Sequence, residues 1–185
     1  MSAEDFLIPP ELANRIRSAR RIAVLTGAGI SAESGVPTFR RTGEPAAQAS
    51  LWDHYDPQEL ATPQAFQRNP GLVWKWYAWR RDIVSKAMPN PGHFALAEME
   101  RRTSIFTLIT QNVDGLHQRS GSGARFDVIE LHGNIQRTKC FKCGKEHHHG
   151  KEHHLGKEHQ ENLSAESWPE INEAPPRCTH CGGML

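Results

Sequence analysis

Three short hydrophobic runs, each followed by polar residues or glycine, predict the strands of one sheet. The first, residues 22–25, is wholly apolar and opens into Gly27, as is typical of a strand buried on both faces of a parallel sheet. Ile105–Thr110 and Val128–Leu131 are the second and third strands. Because helical segments alternate with these runs, the pattern predicts an α/β fold with a partial Rossmann-like parallel sheet.

Helical periodicity and capping residues predict the segments between the strands. Asn69 and Asn90 are favourable N-cap residues, and each precedes a proline, which suits the first helical position. Apolar residues at helical spacing predict a further helix near the start of the chain. The predicted helices cover residues 9–21, 69–86, 90–102 and 113–121, whereas residues 35–61 predict a long loop with at most a short helix.

The character of the chain changes after residue 140, where the first cysteine pair begins, and the chain is predicted to divide into two parts, 1–135 and 136–185. A tandem hexapeptide, GKEHHH-GKEHHL-GKEHQE, fills Gly144–Glu161 and holds six of the eleven histidines. This insert is either a hydrophilic, disordered segment or a loose site for Zn²⁺, Ni²⁺ or Cu²⁺.

Charge and composition narrow the class of partner. The 22 basic and 21 acidic residues give a net charge of +1, which argues against binding to nucleic acid or to a membrane surface. No apolar run approaches the ~18 residues of a membrane helix, and the first ten residues lack the pattern of a signal peptide. We therefore expect a cytoplasmic protein with reduced thiols.

Two pairs of cysteines carry the most specific chemical signal. Cys140 and Cys143 form one Cys-x-x-Cys knuckle, and Cys178 and Cys181 form another. Four thiolates at this spacing predict one structural Zn²⁺ in a small four-cysteine module, with disulfides as the alternative. Four thiolates complete a tetrahedral shell, so this zinc is expected to stabilise structure and not to catalyse.

Polar residues follow each predicted strand, where ligands bind in open α/β sheets. Gly27, Gly29 and Ala32 fit the pattern G-x-G-x-x-A, which marks a dinucleotide site or only a tight turn. Gln111, Asn112 and Asp114 follow the second strand, and His132 follows the third. Such side chains hold a ribose or transfer a proton, or they serve only as loop caps.

Together these motifs resemble the sirtuin family of NAD-dependent protein-lysine deacylases. The matching segments, in the order of the family, are GAGISAESGVPTFR (Gly27–Arg40), TQNVDGLH (Thr110–His117), ELHGN (Glu130–Asn134) and the paired cysteine knuckles. The resemblance implies that NAD lies between the Rossmann-like part and the zinc module. It also implies that His132 is the general base, and that the products are nicotinamide, free lysine and O-acyl-ADP-ribose. The residues that it assigns to NAD are Gly27, Ala28, Gly29, Ser31, Phe39, Arg40, Gln111, Asn112 and Asp114.

Tyr77 and Arg80 bear on the choice of acyl group. They are three residues apart and therefore share one face of the predicted helix, in a segment near 62–88 expected to form the substrate pocket. On their own they also fit an amphipathic surface helix. The pair resembles the Tyr-x-x-Arg of class III sirtuins, which implies that succinyl and malonyl groups are removed as well as acetyl groups.

The family pattern extends beyond this sequence. Sirtuin sheets gain further strands after the second knuckle, whereas the sequence stops at Leu185. We therefore expect a fragment, a truncated gene product or one of two chains, poorly active alone and with an unpaired edge beside the third strand. A non-enzymatic zinc-ribbon and His-rich metal-binding module is the alternative, but it leaves QNVD and ELHG unexplained. An NAD-linked dehydrogenase lacks a recognisable substrate domain.

Overall fold

The computed structural model describes residues 8–36, 57–147 and 174–185. The strands are β1 (Arg21–Thr26), β2 (Ile105–Thr110), β3 (Ile129–Glu130), β4 (Thr138–Lys139) and β5 (Glu146–His147). The helices are α1 (Pro10–Ser18), α2 (Ala28–Ala32), α3 (Pro57–Leu60), α4 (Pro63–Arg68), α5 (Pro70–Lys86), α6 (Pro91–Arg102) and α7 (Leu116–Arg119).

One parallel sheet organises the first part of the chain, with β2 in the middle and β1 and β3 on either side within the described residues. β2 pairs in register with all six residues of β1, but only its last two residues pair with β3. The predicted α/β fold is therefore confirmed. The third strand is shorter than the predicted Val128–Leu131, because the chain turns away after Leu131 through Gly133, whose φ is +75°.

The two faces of this sheet differ in burial. Phe106, Leu108 and Thr110 of β2 are each only 2% exposed, whereas Leu25 of β1 is 63% exposed. Successive side chains of a strand point to opposite faces, and the described residues cover only one of them. The prediction that the first strand is buried on both faces is therefore wrong for the described part of the chain.

Both capping predictions are confirmed. The side chain of Asn69 accepts a hydrogen bond from the backbone of Leu72 at the start of α5. Asn90 accepts from the backbone of Gly92 and His93 at the start of α6. The first helix, α1, is shorter than the predicted range 9–21. It ends at Ser18, because the backbone at its C-cap is already extended and leads into β1.

Two short helices precede α5. α3 lies in the predicted loop 35–61, of which residues 37–56 are outside the described residues. α4 was not predicted, although Thr62 caps it by accepting from the backbone of Ala65 and Pro63 opens it. Leu60, Ala65, Val73 and Trp76 of these three helices form a hydrophobic cluster. Among the described residues, no helix has the length and apolar character needed to cross a bilayer.

The cysteine-bearing part forms a small module that packs against α5. β4 and β5 pair as an antiparallel hairpin, and Arg177 bridges to Met184 in the same sense. Trp74 of α5 packs against the buried side chains of Cys140, Cys178 and Leu185. The fold therefore combines a parallel sheet flanked by helices with a small four-cysteine module.

Glu100 connects α6 to the loop before β3. Its side chain is 2% exposed, and its carboxylate accepts hydrogen bonds from the backbone N–H groups of Gly123, Arg125 and Phe126 at 2.8, 2.8 and 3.2 Å. Burial by itself raises the pKa of Glu100, but the three backbone donors outweigh it and hold the pKa below its usual value.

Glu100→Gln is expected to lower the free energy of unfolding by about 1.5–3 kcal/mol, since hydrogen bonds to a charged acceptor are lost and an amide N–H faces backbone donors. Chemical denaturation at neutral pH measures the change. Glu98→Gln on the same helix is the matched control, because Glu98 makes only exposed ion pairs with Arg101 and Arg102, which contribute little. Equal effects of the two substitutions would contradict the role given to Glu100.

Candidate functional site

The loops after β1 and β2 meet in a buried hydrogen-bond network centred on Ser31. The Ser31 hydroxyl donates to Asp114 Oδ2 at 2.7 Å and accepts from Asn112 Nδ2 at 3.0 Å. Asn112 Nδ2 also donates to the carbonyl oxygen of Gly27 at 3.0 Å. Asp114 Oδ1 accepts from the backbone of Leu116, so the carboxylate is fixed at both oxygens. Four of the residues predicted for the site are therefore brought together.

His93, at the start of α6, completes the shell around Ser31. Its Nδ1 accepts from the backbone N–H of Asn90 at 3.3 Å, so the proton of the neutral ring is on Nε2, which lies 3.4 Å from Ser31 Oγ. Protonation of Nδ1 as well would place its N–H against the N–H of Asn90 and break this hydrogen bond. Burial lowers the pKa of His93, and the Asp114 carboxylate only partly offsets this.

A second buried histidine joins the ends of β1 and β2. Thr26 Oγ1 donates to Thr110 Oγ1 and accepts from His117 Nε2, both at 2.9 Å. Within the described residues, His117 Nδ1 has no hydrogen-bond partner. Burial lowers the pKa of His117, the ring of His93 at 4.9 Å adds to this, and Asp114 acts in the opposite direction, so that the pKa lies at about 4.

The glycine-rich loop after β1 leaves open space. The backbone of Gly27 is extended, with φ −145° and ψ −168°, which any residue adopts. Within the described residues, a Cβ added at Gly29 would meet nothing within 4 Å, and one added at Gly27 would meet only the side chain of Gln111 at 3.8 Å. The packing of the described residues therefore does not require glycine at either position. The space fits a ligand that approaches the backbone closely, as the G-x-G pattern predicts.

His132 lies just after β3, and its side chain is exposed. Its Nδ1 lies 3.0 Å from the carbonyl oxygen of Gln111. A carbonyl oxygen only accepts, so Nδ1 carries the proton of the neutral ring and Nε2 is left with a lone pair. The loops after β2 and β3 thus orient the imidazole as a proton acceptor.

Tyr77 and Arg80 lie together on α5, as their spacing predicts. Arg80 is 6% exposed, and its guanidinium lies 5.0 Å from the ring centroid of Trp76. Burial lowers the pKa of Arg80 and raises that of Tyr77, and the charge of Arg80 partly offsets the rise. Arg80 and Val36 line one small depression, and the Val36 N–H donates to the carbonyl oxygen of Ser31. Arg80 therefore lies next to the segment that follows the glycine-rich loop.

Some residues of this region were not predicted, and two predicted ones are not described. Phe39 and Arg40 lie outside the described residues. The roles of His93 and His117 were missed, although His117 stands in the segment TQNVDGLH. Asn90 was predicted only as a helix cap, but its Nδ2 also donates to the carbonyl oxygen of Ile30 at 2.6 Å. The spacing of Asn90 and His93, a histidine three residues after a predicted N-cap, was the available signal in the sequence.

The four predicted cysteine ligands come together. Their sulfur atoms all lie within 4.8 Å of one another, with Cys140 to Cys181 at 3.6 Å and Cys143 to Cys178 at 3.8 Å. A tetrahedral zinc with bonds of about 2.3 Å needs sulfur separations of about 3.8 Å. The cluster fits one structural zinc ion.

The ionisation of these thiols also favours a bound cation. The backbone N–H of Cys143 is the largest of several hydrogen bonds that outweigh burial and lower the pKa of Cys140 to about 6. The Gly183 N–H acts to lower the pKa of Cys181, but hydrogen bonds with the thiols of the other three cysteines, together with burial, raise it to about 12. Four adjacent thiols cannot all ionise without a cation among them. A Cβ at Gly183 would lie 3.1 Å from Cys140 Sγ, so the knuckle closes tightly around the cluster.

Comparison with known proteins agrees with this geometry. Residues 27–185 match the Sir2 family. The chain is 47% identical over 174 residues to NAD-dependent protein deacylase 2 of Pyrobaculum aerophilum, covering 94% of this chain and 59% of that protein. It is 49% identical over 164 residues to the NAD-dependent protein deacylase of Aquifex aeolicus, covering 89% and 58%. A crystal structure of a Sir2 homolog–NAD complex superimposes with a TM-score of 0.72 at 41% identity, covering 96% of this chain and 59% of that one. The chain thus spans less than two thirds of the length of these relatives.

The buried histidine of the β1–β2 junction makes stability depend on pH. Its pKa of about 4 in the folded protein is below the ordinary value of 6.5, so the unfolded chain binds more protons between these values and stability falls as the pH falls. We expect His117 to contribute a loss of up to about 3 kcal/mol between pH 6.5 and 4. His117→Gln keeps an N–H donor for Thr26 and should remove that contribution.

Urea denaturation across this pH range, compared between wild type and His117→Gln, isolates the effect. The exposed His180, replaced by glutamine, is the control and should keep the wild-type slope. The same slope in all three proteins would show that another group causes the acid sensitivity.

Proposed function

Because the chain belongs to the Sir2, or sirtuin, family, we propose that it takes part in NAD-dependent removal of acyl groups from protein lysines. The observation that carries the proposal is the convergence of three strand ends on one site. Ser31 is hydrogen-bonded to both Asn112 and Asp114 beside Gly27, and the Gln111 carbonyl orients His132 at the same edge.

NAD is the proposed co-substrate. When bound, it would supply an electrophilic ribose carbon with nicotinamide as leaving group; the acyl group would pass from the lysine nitrogen to the ribose, and one water would be consumed to give free lysine and O-acyl-ADP-ribose. The open backbone at Gly27 and Gly29 is suited to close approach by the phosphates. The complete proposed set is Gly27, Ala28, Gly29, Ser31, Phe39, Arg40, Gln111, Asn112 and Asp114, of which Phe39 and Arg40 lie outside the described residues.

His132 is the proposed general base. Its Nδ1–H donates to the Gln111 carbonyl, so Nε2 accepts a proton from a ribose hydroxyl. The imidazole is exposed at the sheet edge and therefore accessible to a bound ligand. Asn112 and Asp114 are held by the Ser31 network and position the ligand without needing to rearrange.

Tyr77 and Arg80 are the proposed acyl-selecting residues, with succinyl- and malonyl-lysine favoured over acetyl-lysine. A guanidinium binds a carboxylate with two parallel hydrogen bonds, and a phenol adds a third donor. Both residues lie on one face of α5, and Arg80 lies beside Val36, which is bonded to the backbone of Ser31. A charged acyl group held there would be close to the loop proposed to bind NAD.

Three broader assignments accompany this proposal. Residues 1–135 form the NAD-binding part, with the substrate-pocket segment near 62–88, and residues 136–185 form the zinc-binding module. Acylated proteins are the partners. The location is cytoplasmic, since zinc binding by four cysteines needs reduced thiols.

His132→Ala is expected to lower deacylation by about 10²–10⁴-fold, because the proton acceptor is removed while the groups proposed to bind NAD remain. The assay is release of nicotinamide from NAD with an acyl-lysine peptide. It is run on the chain alone and on the chain fused to the remaining carboxyl-terminal segment of a relative. His180→Ala is the control and should keep wild-type turnover. Near-normal turnover of His132→Ala with unchanged NAD affinity by calorimetry would assign the base to another group.

Arg80→Met is expected to lower kcat/KM for succinyl- and malonyl-lysine by about 10- to 150-fold. This range corresponds to the loss of a charged hydrogen bond, which contributes about 1.5–3 kcal/mol. Activity on acetyl-lysine should be largely kept. Arg81→Met is the matched control, because the Arg81 guanidinium lies instead 4.8 Å from the ring centroid of Trp74. Equal losses on acidic and acetyl substrates would mean that Arg80 supports the fold and does not select the acyl group.

A further inference from the structure

One histidine of the repeat is held against the cysteine cluster by the backbone of the β4–β5 hairpin. His147 pairs with Thr138 across the hairpin. The knuckle itself forms the turn, because the Cys140 N–H donates to Lys145 and the Gly144 N–H donates to the carbonyl of Cys140, both at 2.9 Å. The position of His147 relative to the cysteines is thus fixed by the same hydrogen bonds that shape the first knuckle.

The ring of His147 reaches a single sulfur atom. Its Nε2 lies 3.1 Å from Cys178 Sγ. The four donor atoms that lie mutually within 4.8 Å are the cysteine sulfurs alone, so His147 is beside the cluster and not one of its corners. A neutral imidazole with its proton on Nε2 donates to a thiolate at this position.

Two of the other three sulfurs have backbone donors in the part of the chain that the structure describes. Cys140 Sγ accepts from the Cys143 N–H at 3.5 Å, and Cys181 is bonded by the Gly183 N–H. For Cys178, which is 3% exposed, the described contacts are with the thiols of Cys143 and Cys181 and with His147, so the ring of His147 supplies its N–H donor. A metal-bound thiolate is stabilised by N–H donors around it, and loss of such a donor commonly weakens metal binding by about 10- to 100-fold.

We propose that His147 donates an Nε2–H hydrogen bond to the Cys178 thiolate and thereby strengthens zinc binding as a positioning residue outside the coordination shell. The proposal gives the first GKEH unit of the tandem repeat a structural role in the metal centre. It depends on the four cysteines holding zinc, and it does not depend on deacylase activity.

The test compares two substitutions of similar length that differ in whether the side chain carries an N–H. His147→Gln keeps a donor, and His147→Met does not. Both substitutions are made in a parent chain of full length in which His153 and His159 are replaced by alanine. These two histidines occupy the position of His147 in the second and third GKEH units and could substitute for it. Zinc affinity is measured by competition with a chromogenic chelator. His180→Ala in the second knuckle is the control for an exposed histidine near the cluster.

The expected result is zinc affinity about 10- to 100-fold weaker for His147→Met than for the parent chain, with His147→Gln close to the parent. The cobalt-loaded parent and both variants should share one four-thiolate charge-transfer spectrum. Equal affinities of the methionine and glutamine variants would overturn the proposal. A three-thiolate, one-nitrogen spectrum in the parent that is lost in both variants would also overturn it, since His147 would then be a ligand.

NMR of the cadmium-loaded parent chain gives an answer that does not require the methionine variant to fold. The proposal requires a protonated Nε2 on His147 whose proton shows a small coupling to the metal through the hydrogen bond. A large direct coupling between cadmium and Nε2, or an Nε2 without a proton, contradicts it.

Discussion

The candidate site depends on the hydrogen-bonding capacity of one buried hydroxyl. Ser31 is 1% exposed, and its single proton goes to Asp114 while its lone pairs face Asn112 and His93. These partners come from the loop after β2 and from the first turn of α6. Because an unpaired polar group is costly in a buried network, each partner fixes the orientation of the others. The site is therefore assembled by the fold before any ligand arrives.

The sequence predicted the elements of this site better than their connections. β2 and the starts of α5 and α6 follow from apolar runs and from Asn-Pro pairs, which act locally. The bonds of Ser31 to His93 and Asp114 join residues 62 and 83 positions apart, and no local pattern encodes such pairs. The cysteines are the exception. The grouping of the two distant cysteine pairs was predictable, because one tetrahedral metal ion requires all four sulfur atoms around it, however long the segment between the pairs is.

Where the sequence analysis was wrong, the reason is that hydrophobicity reports the capacity for burial and not the burial itself. Leu25, Ile105 and Ile129 are 63, 47 and 46% exposed on the face opposite to Phe106 and Leu108. A wholly apolar run predicts two covered faces for β1, whereas the described helices cover one. The exposed apolar side chains give this second face of the sheet the hydrophobic character that a buried face has.

The helix α5 connects the three chemical parts of the molecule. Trp76 and Val73 lie in the hydrophobic cluster, Trp74 packs on the cysteine module, and Arg80 adjoins Val36 behind the glycine-rich loop. Positions 73, 76 and 80 recur at helical spacing and so share a side, while Trp74 is displaced from them around the axis. A rigid helix of this kind transmits the position of the metal module to the region proposed to bind the acyl group. The cysteine module thus supports the position of α5, because Trp74 is seated against the buried side chains of Cys140, Cys178 and Leu185.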